Sequence, residues 1–266
     1  MSPRRSKSTR TKTVDNDDWI AGEGGYEDIP ETEFDPWRFW LGPGEEKEIV
    51  FLDGDGVFSD REPFPYYQHQ MKIDGNWGNF ETCLSGKKAG KNLCFLCSPR
   101  MRKVKTLSRS FVGACTIIVT TPYKIKKGRR KGEKVKNTKM LLCLKPGAMK
   151  VVKRLVDKHK VITGARVTAY RPDSESPNTG SVFEIEEHIV DPDTVLSLAR
   201  KNPDDGFEKV MDQIAEALDI DDPKGTIVAP YEYKDVLRPK VYDEQQELYA
   251  YLARQGDDEE DGPSYD

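Results

Sequence analysis

Short apolar and β-branched runs, separated by Gly, Pro, Asp and Asn clusters, recur through the middle of the chain and predict strands. They span residues 48–52, 111–121, 140–144, 165–171 and 181–189. Asp53-Gly54-Asp55-Gly56 closes the first as a turn, and the turn-rich 172–180 separates the last two. Met149, Val152, Leu155 and Val156 follow the helical period instead, predicting a helix over 148–158 behind Pro146-Gly147. Further helices are expected over 194–201, 206–218 and 243–254. Residues 123–139 form a basic hairpin or loop around Gly128 and Gly132, whereas 61–105 show little regular periodicity. Trp37, Phe39, Trp40 and Leu41 open the core ahead of the turn Gly42-Pro43-Gly44, and Trp37, Trp40, Phe111 and Phe183 are expected inside it. Five short strands and one internal helix are the inventory of an oligonucleotide-binding (OB) fold. The expected class is therefore α+β, mainly β, with a five-stranded Greek-key barrel core, an inserted subdomain and peripheral helices.

Composition narrows this picture. With 266 residues, 36% hydrophobic and 33% charged, the chain supports one modest core with appendages. No apolar run approaches the roughly 18 residues of a membrane span. The start lacks the apolar stretch of a signal peptide, so a soluble, cytoplasmic chain without a membrane partner is expected. The net charge of −4 conceals strong segregation. Residues 1–12 hold five bases and no acid, and residues 13–36 hold nine acids and no base. Between Lys87 and Lys139 stand 17 Lys or Arg against the single acid Glu133, a local net of +16, and residues 256–266 hold six acids and no base. The expected plan is a basic arm (1–18), an acidic linker (19–36), a core (37–225) with an insert at about 61–105, a C-terminal segment with a helix (226–255) and an acidic disordered tail (256–266).

The insert carries the most specific motif. Cys94-Phe95-Leu96-Cys97 is a C-x-x-C pair that can chelate one ion from a single turn, with Cys83 eleven residues upstream and His69 fourteen before that. Three sulfurs and one ring nitrogen suit the tetrahedron of zinc, and four protein ligands leave no open position for water. One structural zinc ion is therefore expected on Cys83, Cys94, Cys97 and His69, with Cys115 and His159 as alternative fourth ligands. A redox pair is disfavoured because no βαβ pattern surrounds the cysteines. The zinc-deaminase pattern is absent, since Gln70 and Met71 follow His69. No P-loop, calcium loop or paired nucleophile and base is complete, so no enzymatic activity is expected.

Single-stranded nucleic acid is held by bases that track phosphates and by rings on which its bases stack. Both occur together here. Tyr66, Tyr67, Trp77 and Phe80 lie among Lys72, Lys87, Lys88 and Lys91, followed by Arg100, Arg102, Lys103, Lys105 and Arg109. Tyr123 then opens the basic stretch of Lys124, Lys126, Lys127, Arg129, Arg130 and Lys131. No helix-turn-helix or zinc-finger spacing points to sequence-specific reading of duplex DNA.

The His, Cys, Cys-x-x-Cys set among aromatics and lysines, with a basic arm and acidic tail, resembles the zinc-containing, helix-destabilising single-stranded-DNA-binding protein of T-even-type bacteriophages. The resemblance implies zinc on His69, Cys83, Cys94 and Cys97. It also implies cooperative self-association through the arm at Arg4, Arg5, Lys7, Ser8 and Thr9, where Ser6 interrupts the run of bases. Replication and recombination proteins would bind the tail at Asp257, Asp258, Glu259, Glu260 and Asp261. The acidic stretch after the arm departs from that plan. The expected function is thus sequence-tolerant coating and protection of single-stranded DNA in viral replication, recombination and repair, in the cytoplasm of an infected bacterial host. The rival is a zinc-ribbon adaptor of transcription or replication that binds mainly protein.

Overall fold

The computed structural model describes residues 36–58, 62–73, 76–85, 94–125, 132–222, 225 and 227–258. The main sheet is antiparallel and has seven strands: β1 (Glu46–Phe51), β2 (Phe64–Ile73), β3 (Asn76–Thr82), β4 (Leu107–Val119), β7 (Thr138–Leu144), β8 (Ala165–Tyr170) and β9 (Val182–His188). Two short strands, β5 (Tyr123–Lys124) and β6 (Lys134–Val135), form a separate ribbon. The helices are α1 (Pro146–His159), α2 (Pro192–Lys201), α3 (Pro203–Ala217), the single turn α4 (Tyr233–Val236) and α5 (Tyr242–Asp258).

Strand β4 organises the sheet. Its 13 residues pair with β2 over Leu107–Ala114, with β7 over Gly113–Val119 and with β1 over Ile117–Val119. Because β7 shares β4 residues with both β2 and β1, it must run along the edge opposite to them. From β1 the sheet continues through β8 to β9. The class is α+β with a mainly antiparallel sheet, but β7 and β9 do not pair among the described residues, so the expected closed barrel is not shown.

Alternating side chains bury both faces of the sheet. Ile49 and Phe51 of β1 join Ile117, Val119, Leu142, Val167 and Phe183 in a cluster covered by Ala148 and Val152 of α1. Val50 and Leu52 point the other way, into a cluster with Val195 of α2 and Val210 and Ile214 of α3. The last two helices cross so closely at Gly206 that a Cβ there would stand 2.7 Å from the Leu198 carbonyl oxygen. Each of α1, α2 and α3 carries Pro in its first turn, which accounts for α3 starting at Pro203 rather than 206. Among the described residues, no helix is long and apolar enough to cross a membrane.

Two strands lie where no period was visible. β2 and β3 occupy the segment expected to be irregular, and the correction has a plain cause. On β2, Tyr66, Gln68 and Gln70 are buried on one face and His69 and Met71 on the other, so polar residues sit at interior positions and the apolar–polar alternation disappears. Trp37 and Trp40 are corrected too: they are 40% and 41% exposed, while Phe39 and Leu41 turn inward. Helix α5 ends at Asp258 rather than Arg254, so the first residues of the acidic tail are helical. The arm, the acidic linker up to Asp35 and residues 259–266 lie outside the described residues.

The Asp53-Gly54-Asp55-Gly56 turn is a structural clasp. Asp55 accepts hydrogen bonds from the Ile162 and Thr163 amides, each at 2.8 Å. Asp53, 1% exposed, accepts from the Thr116 amide at 2.8 Å and from the Tyr233 hydroxyl at 2.5 Å. The Thr116 hydroxyl, 2.8 Å from that of Tyr233, also receives the Tyr231 amide. This network pins the segment after α3 to the sheet. Asp53→Ala, which strands these buried donors, is expected to destabilise the fold by about 2–4 kcal/mol in chemical denaturation. Asp53→Asn, which keeps acceptor oxygen in place, is expected to cost less.

Candidate metal centre and adjoining aromatic cleft

The insert folds between β1 and β4, and its two sheet faces do different work. Directly paired residues share a face. His69 pairs with Arg109 of β4 and Glu81 of β3, which places all three on the side facing α5. Gln70 pairs with Phe80 and Ser108, and Gln68 with Thr82 and Ser110, on the opposite side.

On the α5 side, His69 rises from mid-strand, Cys83 follows the end of β3, and Cys94 and Cys97 bracket a 3-10 turn, Phe95–Cys97. One ligand atom from each lies within 4.8 Å of every other, and all four residues are buried. Cys83 Sγ is 3.5 Å from Cys97 Sγ, and the sulfurs of Cys94 and Cys97 are each 3.4 Å from His69 Nε2. Zinc-length bonds in a tetrahedron give edges of about 3.8 Å between sulfurs and about 3.5 Å from sulfur to nitrogen. The donors therefore fit a single tetrahedral ion. Of the alternative fourth ligands, Cys115 is fully buried in the core and His159 is paired with His188, ring centroids 6.0 Å apart; neither belongs to the cluster.

Without an ion the four groups share protons unevenly. Hydrogen bonds from the Cys94 and Cys97 thiols, then His69, hold Cys83 well below the usual thiol range despite its burial. Cys94 is pushed up by its hydrogen bonds to Cys83 and Cys97 and by burial. For His69 burial opposes the charge, but hydrogen bonds to Cys83 and Cys97 prevail and its pKa is pushed up to about 9. Arg109 donates from Nε to Cys83 Sγ at 3.2 Å and lays its guanidinium 4.0 Å from the Tyr67 ring centroid. Around the centre Met71, Leu84, Phe95, Leu96, Met101 and Val104 pack with Leu252 and Ala253 of α5.

On the other face is a cleft. Arg38 lies 4.2 Å above the Phe80 ring centroid and donates to Gln68 Oε1 at 2.8 Å. Trp40, Gln70 and Lys145 line the same cleft, and Gln70 Nε2 donates to the carbonyl of Trp77, a residue 38% exposed. Arg38, Trp40 and Lys145 were not among the sequence candidates. Their available signal was the inward alternation of Phe39 and Leu41, which turns Trp40 outward.

The other candidates separate. Tyr66 is fully buried, its hydroxyl donating to Gln68 Oε1 at 2.9 Å, and offers no ring face to a ligand. Tyr67 is half-buried on the metal side, while Lys72 lies exposed near the end of β2. Arg100, Arg102, Lys103 and Lys105 are exposed around the second 3-10 turn, Met101–Lys103, and Arg102 Nε donates to the Cys97 carbonyl at 2.9 Å. Tyr123 packs on the core beside α1, and Lys124 is exposed on the ribbon. Lys87, Lys88, Lys91, Lys126, Lys127, Arg129, Arg130 and Lys131 lie outside the described residues, as do Arg4, Arg5, Lys7, Ser8, Thr9, Glu259, Glu260 and Asp261. Asp257 and Asp258 end α5. No protein-family model matches the chain, and no curated protein matches it.

Metal must displace protons here. His69 keeps its proton below about pH 9 in the metal-free cluster, so a metal competes with that proton across the neutral range. Apparent affinity is expected to rise from about pH 6 to about pH 8.5 in chelator competition, with protons released on binding. Metal analysis is expected to find one ion per chain, and Cys94→Ser/Cys97→Ser is expected to abolish its retention. Full retention by that variant would refute the assignment.

Proposed function

We propose that this protein binds single-stranded DNA without strong sequence preference and catalyses no reaction. The observation that carries the reading is the cleft: the exposed ring of Trp40 and the Arg38–Phe80 stack beside Lys145. Unpaired bases stack on such rings, phosphates follow the cations, and neither contact reads a base edge. Gln68, Gln70, Asn178 and Thr179 make the lining polar, as suits a solvated strand rather than an apolar ligand.

Three further features support it. β1, β4, β7, α1, β8 and β9 stand in the strand, strand, strand, helix, strand, strand order of an OB-fold, with β2, β3 and the metal turns inserted after the first strand and the β5–β6 ribbon before the third. Three thiolates and an imidazole select zinc among common intracellular ions, and four protein ligands make its role structural. The sequence from Lys87 to Lys139 carries 17 Lys or Arg against one acid, the charge that a protein following phosphates needs. On this reading the chain is a viral replication accessory that coats exposed strands, self-associates through its arm and recruits replication and recombination proteins through its acidic end.

Titration with homopolymer single strands, followed by tryptophan fluorescence, tests the proposal. Binding is expected to exceed that for duplex at matched salt and to fall with salt by a log–log slope of about −0.7 per neutralised phosphate. Trp40→Ala and Phe80→Ala are each expected to cost about 1–3 kcal/mol. Lys145→Ala is expected to flatten the salt slope. Equal affinity for duplex and single strands, or no binding of either, would sink the reading and favour the protein-binding adaptor.

A further inference from the structure

Helix α5 lies against the metal centre and contributes no ligand to it, yet it places a buried amide inside the ligand turn. Gln245, 0% exposed, accepts the Phe95 backbone amide at 3.0 Å and lies 3.2 Å from Cys94 Sγ. Phe95 stands within the Cys94–Cys97 turn, so the contact fixes the backbone that aims two sulfurs. Gln245 Nε2 is buried and has no hydrogen-bond partner among the described residues. An unpaired buried donor costs stability, and a Leu or Met would fill the same space without that cost. The carboxamide supplies what an apolar side chain cannot, an acceptor for the turn.

The rest of α5 reinforces the contact from two directions. Tyr242 packs edge-on against Phe95 with ring centroids 5.6 Å apart. Tyr249 donates to Glu81 Oε2 at 2.9 Å, and Lys240, just before the helix, reaches the same oxygen at 2.7 Å. Glu81 is the cross-strand neighbour of His69, so these ties end one residue pair from the fourth ligand.

We propose that Gln245 is a positioning residue of the metal centre and that docking of α5 and metal occupancy are coupled through it. The helix locks onto the turn in the shape the metal imposes, and the metal is held more tightly with the helix in place. Coupling of this kind is reciprocal. Metal status then decides whether α5 is held at the metal face or released from it. The proposal rests on the metal reading.

The test uses the full chain with Co2+ as probe, combining chelator competition read from the cobalt–thiolate absorption with hydrogen exchange across residues 242–253. Stripping the metal is expected to accelerate exchange in α5 as well as in residues 94–104. Gln245→Ala is expected to weaken Co2+ binding about tenfold or more, as loss of groups supporting metal ligands does, and to accelerate α5 exchange in the loaded protein. Tyr249→Phe touches neither sulfur nor turn, so a fall in Co2+ affinity there reads the coupling itself. Leu248→Ala, on the exposed side of the helix, is expected to change neither. Co2+ bound by the parent protein, with α5 exchange indifferent to its removal and Tyr249→Phe binding normally, overturns the coupling alone. Failure of the parent to bind Co2+ removes the metal site and the proposal with it.

Discussion

Three sulfurs and an imidazole packed within 4.8 Å cannot all ionise without a cation among them, nor all stay protonated without crowding hydrogens into one buried space. The insert is built around that constraint. β2 and β3 bury Gln68, Gln70, His69, Glu81 and Thr82 beside Tyr66 and Met71, so polar groups fill much of the interior of this part of the sheet. A shared ion would add cohesion at this cluster, and the apolar residues around the turns close over the site. The aromatic cleft lies on the opposite face of the same strands as the ligand cluster, and no ligand residue lines it.

The parts that could be read from the chain are those where one local period dominates. β1, β4, β7, β8 and β9 emerge from apolar, β-branched runs because each contributes to the apolar clusters beneath α1 or α2 and α3. The ligand set was legible because two cysteines in one turn leave few other readings. β2 and β3 were not, since burial of polar residues on both faces erases the signal that a strand normally carries. Trp37 and Trp40 misled for a related reason: ring size argues for the core, and only the inward turn of Phe39 and Leu41 sends them out. Gln245 lies 151 residues from Cys94, and no local pattern marks a lone glutamine as a partner for a distant turn.

The acidic residues divide along similar lines. Asp53 and Asp55 sit in a sequence that mimics part of a calcium loop, yet their oxygens are taken by the amides of Thr116, Ile162 and Thr163. Glu81 ties the start and middle of α5 to the edge strand. These carboxylates act inside the fold, whereas the runs near the chain ends have no comparable sequence context. Global net charge therefore says little about this molecule, and the position of each charge says more.

The length of β4 has a consequence for how the chain reaches its folded state. Its far end pairs with β1 through Ile49 and Val119, positions 70 residues apart by number, and everything between them belongs to β1's turn, the insert or β4 itself. Closing so long a loop carries an entropic cost that grows with the logarithm of its length. The β2–β3 hairpin is local and forms at far smaller separation, and its pairing with the near end of β4 shortens the loop left to close. The insert would then work as a splint during folding, drawing β1 and β4 together ahead of the helix layers. An early ion in the ligand cluster would raise the rate at which the central sheet assembles, beyond its contribution to the finished state.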